Sequence, residues 1–253
     1  MTATNHESRL RNQFSIRVST FNTAANWMLD EKLIDAHAHA AGSPKPEANR
    51  LLDLCCGTGI VGQAFLKRGW HVQGIDITPE MVRETGKLYP AVAGKVEEMP
   101  FADDSFDAAV LRQSYMLLNG PAALREIRRV LKPGGLFILG QSVAFSEADD
   151  PQYRLIQEAR HINWTRYYRT EDLAAELAEN GFKIAGKNFL RVRESSTRWM
   201  ERAPELSPEL RTRILDLIQH APESYRKIRN VSVENGEIFE DWNWLILSAR
   251  STK

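Results

Sequence analysis

The chain has 253 residues, of which 43% are hydrophobic and 26% charged, and its 33 basic residues balance its 33 acidic ones. This composition is typical of a globular protein with one large core. The zero net charge disfavours a dedicated nucleic-acid-binding protein, which usually has a basic excess. No apolar run approaches the roughly 18 residues of a membrane span, and the first 30 residues lack the pattern of a signal peptide.

The N-terminal 48 residues predict a helical segment. Apolar side chains recur there at helical spacing, at Phe14, Val18, Phe21, Ala25 and Met28. A Gly/Pro-rich stretch at 41–49 then reads as a linker. We therefore expect an N-terminal helical lid over 1–48 and a separate domain over 49–253.

From residue 50 onward, strand patterns alternate with helix patterns. Short apolar strands are predicted at 50–54, 71–76, 90–94, 106–111, 136–140, 182–191 and 241–250, with helices at 60–68, 79 onward, 121–131 and 170–180. Such alternation predicts an α/β fold with a doubly wound, mostly parallel sheet, whose ligands bind outside the carboxyl ends of the strands. Residues 195–229 interrupt the scheme with helical spacing, which predicts a helical cap inserted before the last strand.

The stretch "DLCCGTGIVG" (53–62) contains a G-x-G-x-x-G pattern. In a dinucleotide site the acidic residue follows such glycines by about 20 residues. Here Asp53 precedes them, and a second acid, Asp76, ends the next strand. Gly57 and Gly59 allow a ligand to approach the backbone closely, whereas Gly62 is expected to be a close-packed helix position.

Four segments occur in a specific order: "LLDLCCGTG", "VQGIDITPEMV", "EEMPFADDSFDAAVL" and "ALREIRRVLKPGGLFIL". In this combination the sequence resembles the class I S-adenosylmethionine (SAM) methyltransferases, in their ubiquinone/menaquinone-biosynthesis-like branch, over roughly residues 50–185. The resemblance implies a Rossmann-like sheet of seven strands with N-terminal helices, SAM as cofactor, and an enzyme that transfers a methyl group.

The same resemblance implies where SAM binds. Asp53 and the loop from Cys55 to Gly59 would surround the methionyl part, and Asp76 would accept hydrogen bonds from the ribose. The implied cofactor-binding residues are Asp53, Cys55, Gly57, Thr58, Gly59, Asp76, Ile77, Met81, Val96, Glu97 and Arg112. Arg112 is either a SAM or acidic-substrate contact or a surface arginine. Lys95 departs from an aspartate that the family often has there, and it cannot accept the adenine hydrogen bond.

Cysteine and histidine chemistry predicts no metal site. Cys55 and Cys56 are the only cysteines, and we expect both to be small structural groups without a disulfide. His37 and His39 lie two residues apart, so they do not share a helix face, and we expect both to be solvated. The cysteine usage also favours a cytoplasmic protein.

Aromatic residues predict the acceptor side of the site. We expect it to come from residues 113–118, 141–168, the N-terminal helix and the insertion, with Gln113, Trp164 and Tyr168 binding the substrate. An aromatic wall suits a planar or apolar small molecule. His161, and next Tyr115, are the candidates for a general base facing the cavity.

Three alternatives stay open on sequence alone. A tRNA-modifying methyltransferase would need a basic face, which "RVRESSTRWMER" or "LREIRRVLK" offers. A non-catalytic SAM-binding partner subunit is disfavoured by the intact loop. A quinone-pathway C-methyltransferase is possible, but the 195–229 insertion is atypical of such enzymes. We expect a monomer or homodimer without a membrane span or nucleic-acid partner.

Overall fold

The computed structural model describes residues 3–160, 163–164 and 166–253. Its helices are α1 (Ala3–Ser15), α2 (Glu31–Ala41), α3 (Ile60–Leu66), α4 (Pro79–Thr85), α5 (Gly120–Val130), α6 (Asp150–Arg160), α7 (Thr170–Glu179), α8 (Ser196–Glu201), α9 (Pro208–Gln219) and α10 (Glu223–Ile228). Its strands are β1 (Arg50–Leu54), β2 (His71–Asp76), β3 (Ala91–Ala93), β4 (Phe106–Arg112), β5 (Leu131–Val143), β6 (Phe182–Ser195), β7 (Ser232–Glu234) and β8 (Glu237–Ser251).

Over the described residues the strands form one sheet in the order β3-β2-β1-β4-β5-β8-β6. Strands β1 to β5 pair in parallel, and β8 runs antiparallel to both of its long neighbours. The predicted mostly parallel α/β sheet is confirmed. It has eight strands instead of the expected seven, because β7 pairs with β8 as a short hairpin. Asn235 and Gly236 both have positive φ in its turn, at 50° and 82°, as a two-residue hairpin loop favours.

Helices cover both faces of the sheet. Because successive strand residues point to opposite sides, Leu51 of β1 packs in one core cluster with Leu33 of α2 and Phe65 of α3. Leu52 packs in the other cluster with Leu124 of α5. This alternation makes the sheet doubly wound and places the carboxyl ends of β1, β2 and β4 along one edge.

The segment before α2 is not the continuous helix that its apolar spacing predicted. After α1 the chain forms two 3₁₀ turns, Val18–Thr23 and Asn26–Met28. The buried Glu194 carboxylate of β6 accepts hydrogen bonds from the backbone N–H groups of Asn26 and Trp27, at 2.9 and 3.2 Å. A contact from the far end of the sheet thus satisfies amides that a regular helix would have bonded internally.

The 195–229 insertion and the stretch after the fifth strand both contain helices. The 195–229 insertion is helical as expected and forms α8, α9 and α10. The stretch after the fifth strand, expected as a loop above the site, contains the helix α6. No helix in the described ranges is both long and apolar enough to cross a bilayer.

Candidate functional site

The glycine loop lies at the carboxyl end of β1 and has an unusual backbone. Cys55, Gly57 and Gly59 have φ values of 51°, 55° and 84°, a region that glycine enters readily and other residues rarely. The Asp76 carboxylate at the end of β2 holds the loop, since it accepts hydrogen bonds from Gly57 N at 2.9 Å and Thr78 N at 2.8 Å. Cys55 therefore occupies a position whose geometry favours glycine.

Gly62 is the close-packed helix position that the sequence predicted. A Cβ there would lie 2.3 Å from the Tyr89 hydroxyl oxygen and 2.8 Å from Asp53 Oδ2. The same Asp53 oxygen accepts hydrogen bonds from Gly62 N at 3.0 Å and from the Tyr89 hydroxyl at 2.6 Å. Burial raises the pKa of Asp53 to about 6, against the lowering effect of these bonds. Tyr89 was not predicted, because nothing in its sequence surroundings marks it.

Two cavities meet at this loop. The first, called the Asp76 cavity, contains several predicted cofactor residues, namely Asp76, Ile77, Met81, Val96 and Glu97. The second, called the Arg112 cavity, contains Asp53, Thr58, Arg112, Gln113 and Trp164 among its lining residues. The cavities share Phe14, Phe21, Cys55, Gly57, Ser114 and Leu117. One elongated site therefore runs across the carboxyl ends of β1, β2 and β4.

Helix α1 covers the Asp76 cavity. His6, Glu7 and Leu10 line it from the N-terminal side. Glu7 accepts a hydrogen bond from Lys95 Nζ at 2.9 Å, which forms an ion pair between the helix and the third-strand region. Lys95, the departure from the family pattern, thus binds the covering helix.

Arg112, at the end of β4, lines the same cavity as residues of the glycine loop. Its Nη1 donates a long hydrogen bond to the Met28 carbonyl at 3.4 Å, and its guanidinium carbon lies 5.1 Å from the centroid of the Trp27 ring. Burial lowers the pKa of Arg112 to about 10, while attraction to Asp53 opposes the shift. The wall of the Arg112 cavity therefore carries a cation and an anion, both largely removed from water.

Gln113 lines the cavity but also supports the sheet edge. Its side chain donates to the Ser142 hydroxyl at 2.7 Å and accepts from the Ser142 backbone N–H at 2.8 Å. These bonds fix the end of β4 against β5. Thr58 similarly donates from its hydroxyl to Asn22 in the first 3₁₀ turn, so the glycine loop is tied to the N-terminal segment.

Tyr115 and Tyr168 do not line the cavity, which corrects the expectation that they face it. Tyr115 is fully buried and stacks against Tyr168 with ring centroids 5.2 Å apart. Both hydroxyls donate to Glu176 Oε1 of α7, at 3.0 and 3.4 Å. Burial raises the pKa of Tyr115 above its ordinary value, so its hydroxyl is a structural hydrogen-bond donor. His161 lies outside the described residues.

Gly59 is also placed differently from the other loop residues. It lines neither cavity, and a Cβ on it would lie 3.0 Å from Leu88 Cδ1. It precedes α3 as its N-cap residue. Its role in the structure is to let the chain turn into α3.

Helices α6 and α8 contribute to the Arg112 cavity, and they lie in the 141–168 stretch and the insertion that the sequence predicted for the acceptor side. Arg160 at the end of α6 and Trp199 of α8 line it, and Arg202 follows directly after α8. These three residues were not predicted individually, because the apolar spacing of a helix marks a buried face but not the wall that it faces.

One of the expectations for the cysteines and histidines was wrong. Cys56 is buried and Cys55 half-buried, both as free thiols, and burial raises the pKa of each above its ordinary value. His39 is exposed as expected. The prediction for His37 was wrong: its side chain is fully buried, and burial lowers its pKa to about 3. No metal-binding group of three or more His, Cys, Asp or Glu occurs among the residues that the structure describes.

Part of the sequence is similar to known methyltransferases. Residues 52–139 match the family described as "Methyltransferase domain". A demethylmenaquinone methyltransferase of Corynebacterium kroppenstedtii is 42% identical over 96 residues, which are 36% of this chain and 41% of that protein. The chain spans less than two thirds of the length of the curated relatives it matches, with 37% for the uncharacterized methyltransferase of Mycobacterium bovis.

Solved structures show the same fold over most of the chain. The YcgJ protein of Bacillus subtilis superposes with a TM-score of 0.74 at 21% identity, covering 87% of this chain and 98% of that one. The geranyl diphosphate C-methyltransferase of Streptomyces coelicolor A3(2), solved with S-adenosyl-L-homocysteine, has a TM-score of 0.60 at 15% identity, covering 88% and 79%. The matched segment contains the glycine loop and both acids, and these solved structures share the fold of the chain.

Proposed function

We propose that this protein is a SAM-dependent methyltransferase acting on a small-molecule acceptor with an aromatic or flat apolar body. The observation that carries the proposal is the pair of cavities joined at the glycine loop. A two-substrate transfer requires both reactants to be held in one geometry at a shared point. The Asp76 cavity would hold the nucleoside, and the Arg112 cavity would hold the acceptor.

The residues of the site fit each part of SAM. Ile77, Met81 and Val96 form apolar walls for a purine, and the Asp76 carboxylate is an acceptor for ribose hydroxyls. The methionyl end carries an ammonium and a carboxylate. The opposite charges of Asp53 and Arg112, both in the Arg112 cavity wall, complement this zwitterion.

When bound, SAM supplies an activated methyl group on a sulfonium. The protein's part is then to align the acceptor and exclude water. No His or Tyr is among the described residues that line the Arg112 cavity. In the proposal, proximity and desolvation supply the rate enhancement, and His161 stays the candidate general base for an acceptor that needs one.

The N-terminal segment and the 195–229 insertion would exclude water from the site. Phe14 and Phe21 of the N-terminal segment and Trp199 of the 195–229 insertion line the Arg112 cavity. We infer that the N-terminal segment is a lid over the domain that follows, and that the insertion caps the acceptor.

The tRNA alternative is disfavoured by ion pairing of its basic segments. In "RVRESSTRWMER", Arg191 and Arg193 both bind Asp241, at 3.0 and 3.2 Å. In "LREIRRVLK", Arg129 pairs with Glu126 at 2.7 Å. Cations neutralised in this way attract phosphates weakly, and counterion release requires cations that can pair with the backbone of the nucleic acid.

Calorimetry with SAM and S-adenosylhomocysteine tests the proposal through Asp76. Asp76→Ala should weaken both ligands by about 2–4 kcal/mol, since hydrogen bonds to a charged acceptor contribute roughly 1.5–3 kcal/mol each and do not add fully. Asp76→Asn keeps one acceptor oxygen for the loop amides and should lose less affinity for both ligands. Glu80→Ala, an acid on the outer side of α4, is the control and should bind like the wild type.

Thermal unfolding of each variant separates loss of binding from loss of the loop, because Asp76 also accepts the Gly57 and Thr78 amides. Absence of SAM binding by the wild type, or full affinity in a folded Asp76→Ala protein, would contradict the proposal. So would preferential binding of a nicotinamide dinucleotide.

A further inference from the structure

The Arg112 cavity carries more positive charge than methyl-donor binding accounts for. Four arginines line it: Arg17, Arg112, Arg160 and Arg202. Asp53 is the one carboxylate among its described lining residues. A second carboxylate, Glu205, lies against two of these arginines. Under the proposed function, Arg112 and Asp53 serve the two ends of the methionyl group, which leaves the other three arginines to explain.

Within the described part of the chain, Arg17 and Arg160 pair with the same carboxylate, Glu205. Arg17 binds both Glu205 oxygens, and Arg160 Nη1 donates to Glu205 Oε1 at 2.9 Å. The Arg160 side chain is only 2% exposed. Two guanidinium groups on one carboxylate leave one positive charge uncompensated, and a buried charge without compensation is strongly unfavourable. The cluster therefore has room for one more negative charge.

Hydrogen-bond donors at the same cavity are also unused. In the described part of the chain, Arg160 Nε and the indole nitrogens of Trp27 and Trp242 have no hydrogen-bond partner. Buried donors normally find an acceptor. All three belong to residues that line the cavity, so an oxygen-rich anion is the kind of ligand that would satisfy them.

Part of the remaining wall is aromatic. Trp199 lies under the Arg160 guanidinium, whose central carbon is 4.8 Å from its ring centroid, and it packs edge-on against Trp242 at 4.5 Å. Phe14 and Trp164 add to the apolar lining, together with aliphatic residues such as Ile60, Val61 and Leu117. Flat aromatic side chains favour a ligand with a flat apolar body. The one uncompensated positive charge beside Glu205 favours a monoanion over a phosphate dianion.

We propose that the methyl acceptor is an aromatic carboxylic acid, held by its carboxylate at Arg160 and Arg17 with its ring against Trp199. This inference rests on the proposed function and names the substrate class of the same site. It makes α6 and α8, which supply Arg160 and Trp199, the elements that determine acceptor specificity.

The test compares acids with their neutral amides. Protein saturated with S-adenosylhomocysteine is titrated by calorimetry with benzoate, cinnamate and 2-naphthoate, and with the three matching amides. The wild type should bind at least one acid about tenfold or more tightly than its amide, the size of one charge-assisted hydrogen bond. Arg160→Gln should remove most of this preference and leave the affinity for S-adenosylhomocysteine unchanged.

Arg154→Gln is the matched control, because Arg154 lies on the same helix with its side chain 59% exposed. It should keep the wild-type acid preference. Arg17→Gln is a second variant in case loss of Arg160 disturbs folding. Arg17 lines the cavity and binds the same Glu205 carboxylate as Arg160. Its loss should weaken the acid severalfold.

Three results would overturn the inference. They are equal affinity of the wild type for acids and amides, an acid preference that survives both arginine variants, and binding of S-adenosylhomocysteine without binding of any acid in the panel. Failure of the wild type to bind S-adenosylhomocysteine would instead overturn the proposed function, so the two failures are distinguishable.

Discussion

The buried imidazole of His37 makes a quantitative prediction about acid stability. Its Nδ1 lies 2.7 Å from the Leu33 carbonyl oxygen, and its Nε2 has no partner among the described residues. The ring packs so closely on β5 that a Cβ on Gly140 would lie 1.9 Å from Nε2. Burial, and then the nearby charge of Arg112, lower the pKa of His37 from 6.5 to about 3.

The sign of the effect follows from proton binding. Between these two pKa values the unfolded chain takes up a proton that the folded protein excludes, so stability is lost as the pH falls below 6.5. At pH 5, which is 1.5 units below the unfolded pKa, the loss is about 2 kcal/mol at roughly 1.4 kcal/mol per unit. The magnitude depends little on the folded pKa, provided that it stays well below 5.

Urea unfolding at pH 8 and pH 5 measures this loss. Between pH 8 and pH 5, the free energy of unfolding of His37→Leu should fall by about 2 kcal/mol less than that of the wild type. Burial raises the pKa of Asp53 to about 6 and that of Glu194 to about 7, and these groups act in the opposite sense because the folded protein keeps their protons longer. Both are present in both proteins, so the difference between the two pH dependences isolates His37.

His39→Leu is the control for this experiment. It removes an exposed imidazole two residues away on the same helix, and its unfolding should follow the wild type at both pH values. If His37→Leu shows the same pH dependence as the wild type, the imidazole is not excluded from protonation in the folded state and the reasoning fails.

Three further predictions concern the loop and the lid. Gly62→Ala should destabilise the protein, because the clash with Tyr89 costs about 1–3 kcal/mol and outweighs the roughly 1 kcal/mol that alanine gains in a helix; urea unfolding measures the change. A double variant with Cys55→Ala and Cys56→Ala should bind S-adenosylhomocysteine like the wild type and contain no stoichiometric metal by elemental analysis. Lys95→Ala should weaken S-adenosylhomocysteine by about 1 kcal/mol at most, since its ion pair is partly exposed, and the effect should shrink in high salt.

Each of these has a control or a contrary result. Gly134→Ala places a Cβ in open space, so any destabilisation there measures the cost of a positive φ without a clash. Loss of binding in the folded cysteine variant would show that a thiol contacts the ligand. Glu98→Ala removes an exposed acid near Lys95 and should leave binding unchanged, whereas a tenfold loss in Lys95→Ala would mean a direct ligand contact.

The strands that carry the site could be predicted because their signals are local. The runs at 50–54 and 71–76 are short strand patterns with an acid at or next to their last residue, and β1 and β2 have these bounds. Parallel strands bring their carboxyl ends to one edge, so Asp53 and Asp76 had to lie together. Gly62 was predictable for a similar reason, since a helix starting beside a strand requires close packing.

The orientation of the aromatic residues could not be predicted. Tyr115, Tyr168 and Trp164 all have polar-tipped rings in segments near the sheet edge. The two tyrosines turn away because Glu176, a buried carboxylate on α7, accepts both hydroxyls. Nothing local in α7 reveals that its Glu176 faces inward. The same limit hid Arg160, whose burial depends on Glu205 from a segment 45 residues away.

Lys95 shows how a departure from a family pattern acquires meaning only through tertiary structure. By sequence it removes an acceptor for adenine and leaves the detail of the adenine contact open. In the fold its ammonium binds Glu7, 88 residues away, and α1 thereby lies over the Asp76 cavity. Because the pair is partly exposed, it contributes little stability. Under the proposed function, α1 would therefore be able to open and close over the ligand, and the substitution would exchange one direct contact for a covering helix that excludes water.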